Sequence, residues 1–241
     1  MTDTGRDDHG MPASSRTLRV VNDAWLIIPL YNEAPVVRRV IEEARHVFPH
    51  IVVVDDGSTD ASAAEAATTG VVVVRHPVNL GQGAALQTGF TYVLERTRAR
   101  WAVTFDADGQ HSVADAAAMV ERSRAEDLGF VLGSRFLDGS TRVGRAKRLV
   151  LRTAAAVSSH SSGMRLTDAH NGLRVIRRDA LERLQLRQNR MAHASEIVRQ
   201  LGATGLAWAE HPVRIAYTDY SRAKGQSLWN SVNILVDLVF S

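Results

Sequence analysis

The stretch WAVTFDADGQH, residues 101–111, begins with a mostly apolar run and stops at two carboxylates, Asp106 and Asp108, one residue apart. Such a run predicts a buried β-strand. Two like charges held close together cost free energy, so we expect a metal ion or a basic side chain to offset them. The stretch therefore predicts a core strand that ends at a charged functional edge.

Short apolar runs alternate with segments of helical spacing on both sides of this stretch. The other predicted strands of the first half are AWLIIPL (24–30), IVVVDD (51–56), VVVVRH (71–76) and FVLGSR (130–135). The predicted helices cover residues 33–47, 60–68, 82–99 and 113–126. Such alternation implies right-handed crossovers and a mainly parallel sheet that helices cover on both faces. The sequence therefore predicts an α/β fold.

The pattern loosens after residue 140, and the chain is predicted to form one domain with two appendages. The expected elements there are a basic helical stretch (143–160), a helix (193–202) and a strand within 206–217. No linker-like segment separates the halves, so residues 23–227 are predicted as a single domain. Residues 1–22 are polar and predict a disordered tail. Residues 228–241 predict an amphipathic helix that docks on the core, a membrane or a partner protein.

Composition and charge narrow the class of protein. The 241 residues carry 29 Lys and Arg against 26 Asp and Glu, a net charge of +3 that is too small to indicate a nucleic-acid partner. Basic side chains cluster within 142–152, which suits phosphate groups, an anionic membrane or a solvated helix face. The absence of cysteine excludes disulfides and thiolate zinc sites. No run reaches the roughly 18 to 20 apolar residues of a membrane-spanning helix.

Polar side chains follow three of the predicted strands at their carboxyl ends, where ligands bind in such sheets. The Asp-x-Asp pair can hold a hard divalent cation whose remaining ligands are water and phosphate oxygens. Asp55 and Asp56 can accept hydrogen bonds from a nucleobase or a ribose, and Tyr31 and Glu33 add an aromatic ring and another acceptor. Turn formation and core packing explain each motif alone. Together they indicate a nucleotide site.

Seven segments in this order resemble glycosyltransferase family 2, especially its polyprenyl-phosphate (dolichyl-phosphate-type) mannose and glucose synthases. These segments are IIPLYNE, IVVVDDGSTD, NLGQGAALQTGF, FDADGQH, GSRF, DAHNGLR and HPVRIAYTDYSRAKGQS. The resemblance covers roughly residues 24–230. It implies the GT-A fold, a UDP- or GDP-sugar donor, Mg²⁺ or Mn²⁺, and inversion at the anomeric carbon. It also implies a polyprenyl phosphate acceptor and a peripheral position at the cytoplasmic face of the cell membrane.

The resemblance also implies roles for individual residues. The positions that match the family's nucleoside-binding residues are Pro29, Tyr31, Glu33, Asp55 and Asp56. The positions that match its metal and diphosphate residues are Asp106, Asp108 and Gln110. Arg135, and less directly Arg148, match arginines that hold the acceptor phosphate, and Asp168 matches an acid beside the donor sugar. Arg222 and Lys224 match a basic loop that closes over the diphosphate.

Two departures from the family pattern affect the interpretation. Gln82 replaces the lysine of a Gly-Lys-Gly motif, so one phosphate-side cation is missing and Arg222 or Lys224 is expected to compensate. The usual Ser-Gly-Phe-Arg is Asn-Gly-Leu-Arg at 171–174, which leaves the donor sugar open. The absence of Gln-x-x-Arg-Trp argues against a processive polysaccharide synthase.

Two alternatives to a lipid-phosphate acceptor remain. A saccharide or soluble hydroxyl acceptor needs a carboxylate base, for which Asp168 and Glu196 are the candidates. For Glu196, a helix-surface ion pair is the expected role. A catalytically silent nucleotide-binding module, partnered with a membrane protein, is the other alternative. The histidines at 111, 170 and 193 lack a compact zinc spacing and are interpreted as hydrogen-bonded structural residues.

Overall fold

The computed structural model describes residues 18–137, 162–168, 171–189 and 192–216. Its strands are β1 (Ala24–Leu30), β2 (Ile51–Asp55), β3 (Val72–Arg75), β4 (Trp101–Thr104), β5 (Phe130–Ser134), β6 (Arg174–Arg177) and β7 (Trp208–Pro212). Its helices are α1 (Val37–Arg45), α2 (Ser62–Thr68), α3 (Gln82–Arg96), α4 (Val113–Ala125), α5 (Arg178–Leu181) and α6 (His193–Ala203). Each predicted strand and helix that lies in these ranges is confirmed, and most of them are a few residues shorter than predicted.

The seven described strands form one sheet in the order β3-β2-β1-β4-β6-β5-β7. All neighbouring strands are parallel except β6, which runs antiparallel to both β4 and β5. The prediction of a mainly parallel sheet is confirmed, but β6 was not predicted. Because β1, β2 and β4 are parallel neighbours, the residues that follow them meet at one edge of the sheet.

Each face of the sheet carries its own hydrophobic core. On one face Leu26, Ile28 and Val103 pack with α1 and α4, and on the other Ile27 and Val52 pack with α3 and α6. Successive side chains of β1 therefore enter the two cores in turn, as expected for a sheet that helices cover on both faces. Trp101 at the start of β4 is buried, and its indole N–H donates to Ser123 Oγ of α4 at 2.9 Å.

The boundaries of the predicted domain differ at the N-terminal side. Val21 is buried, and its N–H donates to Val47 O at 2.7 Å, so the last residues of the predicted tail pack against the fold. The predicted segments 143–160, 218–227 and 228–241 lie outside the described residues, as do residues 1–17. Within the described ranges, none of the helices has the length and apolar character needed to cross a membrane.

Candidate active site

A cavity of about 460 Å³ opens at the carboxyl ends of β1, β2 and β4. Its walls come from the loops after these strands and from the first turn of α3. The lining residues are Pro29, Leu30, Tyr31, Glu33, Asp56, Asn79, Gly81, Gln82, Ala85, Asp106, Ala107 and Asp108. Seven of the residues proposed from the sequence therefore share one cavity, namely Pro29, Tyr31, Glu33, Asp56, Gln82, Asp106 and Asp108.

The loop after β1 is held open by hydrogen bonds to the loop after β2. Asn32 has φ +52°, a left-handed conformation that asparagine tolerates, and its Oδ1 accepts the N–H of Thr59 at 2.9 Å. The N–H of Glu33 donates to Ser62 Oγ at 2.7 Å. Tyr31 is 44% exposed, so its ring is a wall of the cavity and not a cover for the core.

Asp56 holds the loop that directly precedes α3 on one side of the cavity. Its Oδ1 accepts the N–H of Leu80 at 2.9 Å and lies 2.8 Å from His76 Nδ1, and its Oδ2 accepts the N–H of Gly81 at 2.7 Å. His76 in turn reaches Thr88 Oγ1 on α3 at 2.9 Å. These three contacts leave one of the four acceptor positions of the carboxylate for a ligand. Sequence reasoning missed His76, which it placed only as a strand residue.

Asp55, predicted to contact the nucleoside, lies beneath the cavity instead. Its residue is fully buried at 0% exposure and is not part of the cavity wall. Its Oδ1 accepts the N–H of Ser58 at 3.2 Å. Arg75 Nε lies 3.0 Å from its Oδ2, close enough for an ion pair although the angle is not that of a hydrogen bond. Asp55 therefore shapes the loop after β2.

Asp106 is held by two polar side chains. His111 Nε2 lies 2.9 Å from Oδ2, and Gln82 Nε2 donates to Oδ1 at 3.2 Å. Burial acts to raise the pKa of Asp106, but His111 and the buried Arg174 outweigh it, so the pKa lies below its ordinary value. Asp106 is therefore ionised at neutral pH, and Gln82 contacts a carboxylate where the family pattern would place a cation.

Asp108 carries a charge that the described residues compensate poorly. Burial, the charge of Asp106 and that of Glu33 raise its pKa to about 6, although Oδ1 accepts the N–H of Gln110 at 3.0 Å. A divalent cation between the two aspartates would remove this penalty. In the described part of the chain no group of three or more His, Cys, Asp or Glu side chains forms a metal cluster. The two hard oxygen donors thus fit Mg²⁺ or Mn²⁺ with water and phosphate as the other ligands.

Gln110 lies beside the Asp106 and Asp108 pair without lining the cavity of about 460 Å³. It belongs to the wall of a second cavity of about 370 Å³ between α1, the start of α4 and residues 214–216. Its N–H donates to Asp108 Oδ1 at 3.0 Å, and its carbonyl accepts the N–H of Ala216 at 2.9 Å. Its backbone therefore orients Asp108, and the role of its side chain toward a metal or diphosphate stays a prediction.

Arg135 and Asp168, which were assigned to different substrates, form one ion pair. Arg135 Nε and Nη2 donate to the two carboxylate oxygens of Asp168 at 2.6 and 2.8 Å, and the backbone N–H of Arg135 donates to Oδ2 at 3.1 Å. The Asp168 side chain is 1% exposed. Glu210 on β7 fixes the loop from below by accepting the N–H of Asp168 at 3.1 Å. Asp168 is therefore an orienting partner of Arg135.

Glu196 is not in a surface ion pair, and that prediction is wrong. The residue is 5% exposed, and its Oε2 accepts the N–H groups of Arg187 and Gln188 at 3.0 and 2.8 Å. The loop it holds packs on α3, where the N–H of Gly83 donates to Asn189 O at 2.9 Å. A Cβ at Gly83 would lie 2.1 Å from Gln188 O, so this glycine admits the protein's own loop and not a ligand.

Arg174 at the start of β6 was not predicted as a site residue. It is 3% exposed and lies electrostatically close to both Asp106 and Asp168. Burial lowers its pKa to about 10, against the effect of the two carboxylates, so it stays charged at neutral pH. The remaining proposed residues, Arg148, Arg222 and Lys224, lie outside the described residues.

The fold is that of the GT-A glycosyltransferases. Glucosyl-3-phosphoglycerate synthase from Mycobacterium tuberculosis, solved in complex with UDP, superposes with a TM-score of 0.66 at 21% identity, over 90% of this chain and 79% of that one. Residues 25–185 match the family described as Glycosyl transferase family 2, and the chain belongs to this family.

Two relatives are similar over most of their lengths. The UDP-N-acetylglucosamine–dolichyl-phosphate N-acetylglucosaminyltransferase of Methanococcus voltae is 30% identical over 89% of this chain and 94% of its own. The polyprenol monophosphomannose synthase of Mycolicibacterium smegmatis is 32% identical over 77% of this chain and 73% of its own. The family predicted from the sequence motifs is thereby confirmed.

Proposed function

We propose that this glycosyltransferase moves one sugar from a nucleoside-diphosphate sugar to a polyprenyl phosphate. The observation that carries the proposal is the Asp106 and Asp108 pair, whose charge is only partly compensated, at the edge of a cavity of about 460 Å³. The relatives named for dolichyl phosphate and polyprenol acceptors support the choice of a lipid phosphate.

The nucleoside of the donor lies in the cavity between the loops after β1 and β2. The exposed ring of Tyr31 stacks on the base, while Glu33 and the remaining acceptor position of Asp56 receive hydrogen bonds from base or ribose. Pro29 forms the floor. Both UDP- and GDP-sugars fit these contacts. The M. tuberculosis enzyme solved with Mn²⁺ and UDP-glucose supports a nucleotide-sugar donor.

Asp106 and Asp108 would hold Mg²⁺ or Mn²⁺, and the bound ion would neutralise the charge that grows on the departing diphosphate. Gln82 and His111 fix the first carboxylate, and the N–H of Gln110 fixes the second. These residues therefore set the direction of both carboxylates before the donor arrives. On the diphosphate side, Arg222 and Lys224 remain the proposed cations.

The acceptor phosphate binds at Arg135, with Arg148 as a proposed second contact. Asp168 takes two of the five guanidinium N–H donors of Arg135 and thereby fixes its plane. An acceptor phosphate oxygen attacks the anomeric carbon, the bond from that carbon to the diphosphate oxygen breaks, and the nucleoside diphosphate leaves with the electron pair. Attack opposite the leaving group inverts the anomeric configuration.

A phosphate acceptor suits this site better than a hydroxyl acceptor. A phosphate monoester is already anionic and needs no strong base, whereas a hydroxyl needs one. Both acids considered as bases are engaged, Asp168 by Arg135 and Glu196 by two backbone N–H groups. We place the reaction at the cytoplasmic face of a membrane, with residues 228–241 or a membrane protein as the attachment.

A transfer assay tests the proposal. Purified protein receives labelled UDP-glucose, UDP-N-acetylglucosamine or GDP-mannose with polyprenyl phosphate, with and without Mn²⁺, and label is followed into the organic phase. We expect metal-dependent transfer from one donor. Donor hydrolysis without labelled lipid would redirect the acceptor assignment to soluble phosphates or hydroxyls. Nucleotide binding without any donor turnover would support the silent nucleotide-binding module and refute the proposal.

A further inference from the structure

Arg174 occupies a position on the sheet that faces the site. In β6 it pairs with Thr104 of β4 and with Leu132 of β5. Directly paired residues project to the same face of a sheet, and so do residues two apart on one strand. The carboxylate of Asp106 lies over the same face, because a Cβ at Gly172 would be 2.2 Å from Asp106 Oδ2. Arg174 and Asp106 are therefore neighbours on one face at the carboxyl edge.

Arg174 is 3% exposed, and its guanidinium is not paired with any residue that the structure describes. Among residues that the structure describes, none of the hydrogen bonds or ion pairs involves its side chain, although Asp106 and Asp168 both act on its charge. A guanidinium has five N–H donors, and buried donors without acceptors cost free energy. The Arg174 nitrogens are not among the fully enclosed side-chain atoms that lack a partner, so an acceptor from outside the chain can reach them.

Nearby arginines show how the same fold satisfies a structural guanidinium. Arg178, four residues later, donates to the carbonyl oxygens of Leu94 and Thr97 at 2.7 and 3.2 Å. Arg135 is held by both oxygens of Asp168. Among the described residues, Arg174 makes neither kind of contact, which distinguishes it from Arg178, whose donors are used within the fold.

The strand order indicates which part of the donor lies above Arg174. The nucleoside cavity is formed after β1 and β2, and the Asp-x-Asp pair follows β4. The next strand is β6, on the side of β4 away from the nucleoside cavity. An extended nucleotide-sugar that starts over β2 and places its diphosphate at β4 therefore continues over β6 with its sugar.

We propose that Arg174 donates hydrogen bonds to oxygen atoms of the transferred sugar in the bound donor. The assignment rests on the proposed function and deepens it, because it names a residue that binds the sugar of the donor and not its nucleotide. Hydroxyl oxygens of a sugar are acceptors that match the spread of the guanidinium donors. Arg174 thereby distinguishes an intact donor from the nucleoside diphosphate that remains after transfer.

The test compares a nucleotide-sugar with its own nucleoside diphosphate. Dissociation constants are measured by calorimetry with Mn²⁺ for UDP and UDP-N-acetylglucosamine, UDP and UDP-glucose, and GDP and GDP-mannose, using whichever pair the wild type binds. Arg174→Met should weaken binding of the nucleotide-sugar about tenfold to a hundredfold and leave the nucleoside diphosphate within about twofold. Arg178→Met is the matched control, and its ratio of the two constants should stay at the wild-type value.

Several outcomes would overturn the sugar contact. An equal loss for both ligands would place Arg174 at the diphosphate or make it structural, and no loss for either would remove it from the site. If Arg174→Met does not fold, deoxy-sugar donors are tested on the wild type, and equal affinity for every deoxy analogue would refute the contact. A wild type that binds none of these nucleotides would refute the proposed function itself.

Discussion

Asp106 and Asp168 lie near one another at the same edge of the sheet, yet their surroundings differ in kind. The side chain of Asp106 is 30% exposed and is held by a glutamine and a histidine next to a second aspartate. The side chain of Asp168 is 1% exposed and is paired with Arg135 through two hydrogen bonds. The negative charge of Asp106 and Asp108, on the proposed donor side, is compensated only in part by the described residues. The charge of Asp168, on the proposed acceptor side, is neutralised by Arg135.

The Asp106 and Asp108 pair therefore needs a cation from outside the described residues, whereas the Arg135 and Asp168 pair is held in place by its own ion pair. Burial and the neighbouring charge of Asp106 raise the pKa of Asp108 to about 6, because the described residues compensate its charge only in part. The bidentate pair of Arg135 and Asp168 has the planar geometry that fixes a guanidinium. Donor chemistry should therefore depend on the metal, and acceptor recognition should depend on the ion pair.

Asp108→Asn should produce the largest effect on activity. Loss of one metal carboxylate is expected to lower metal-dependent donor turnover about a thousandfold, because charge stabilisation by the metal contributes several kcal/mol. The initial rate of label transfer at saturating Mn²⁺ measures it. Asp127→Asn is a matched control, since that side chain is 87% exposed and lies at the opposite end of β5. Full activity of Asp108→Asn would refute the metal assignment.

Asp168→Asn and Arg135→Lys should weaken binding of the acceptor by the same amount, because they break the same ion pair. Each removes the bidentate geometry, so we expect the KM for polyprenyl phosphate to rise about tenfold to a hundredfold while the KM for the donor changes little. The double variant should show about the same loss as either single variant, because the residues share one interaction. Equal effects on both substrates would remove the pair from the acceptor site.

Glu196→Gln should affect stability and leave the pH profile of kcat unchanged. Both backbone N–H groups donate to Oε2, so the amide oxygen of glutamine must take that place to keep them. The amide nitrogen then replaces Oε1, which accepts Gln200 Nε2 at 3.1 Å, and that bond is lost at a cost of about 1 to 3 kcal/mol. Urea unfolding monitored by circular dichroism measures the loss. A shift in the pH profile of kcat without a loss of stability would instead assign Glu196 as a catalytic base.

The metal-free protein should gain slightly in stability from Asp108→Asn. A carboxyl whose folded pKa is raised to about 6 from 3.8 binds its proton more tightly in the folded state, so it destabilises the fold above pH 6. Because the group is partly exposed, we expect a gain of only about 1 kcal/mol at neutral pH. The gain should fade as the pH falls from about 6 to 3.8. Thermal unfolding should also show that Mn²⁺ raises the Tm of the wild type but not of the variant.

The donor side of the site was predictable because it follows local patterns. Runs such as VVVV at 71–74 identify buried parallel strands, and the residues after such strands share an edge whatever the details of packing. Tyr31, Glu33, Asp56 and the Asp-x-Asp pair could therefore be placed together from the sequence. Asp55 could not be separated from Asp56, because both are buried and only the structure shows that Asp56 lines the cavity while Asp55 lies beneath it.

The acceptor side depends on contacts that no local pattern reveals. The segment LRVIR at 173–177 is short and carries two arginines, so it does not read as a buried strand, yet it inserts between β4 and β5. The pairing of Arg135 with Asp168 joins residues 33 positions apart. Glu196 was expected on a helix surface because charged residues are mostly exposed. Its burial follows from the loop that packs on that helix.

The close approach at Gly172 limits which sequences this family member can adopt. Even an alanine there would bring a Cβ within 2.2 Å of a carboxylate oxygen that the metal site needs. In a library that samples every amino acid and selects for transfer, position 172 should therefore return glycine alone. Gly163, where a Cβ meets nothing within 4 Å and φ is +70°, should also accept asparagine. The substitutions accepted at each position thus show that Gly172 is required to leave room for Asp106, whereas Gly163 is required only for its backbone conformation.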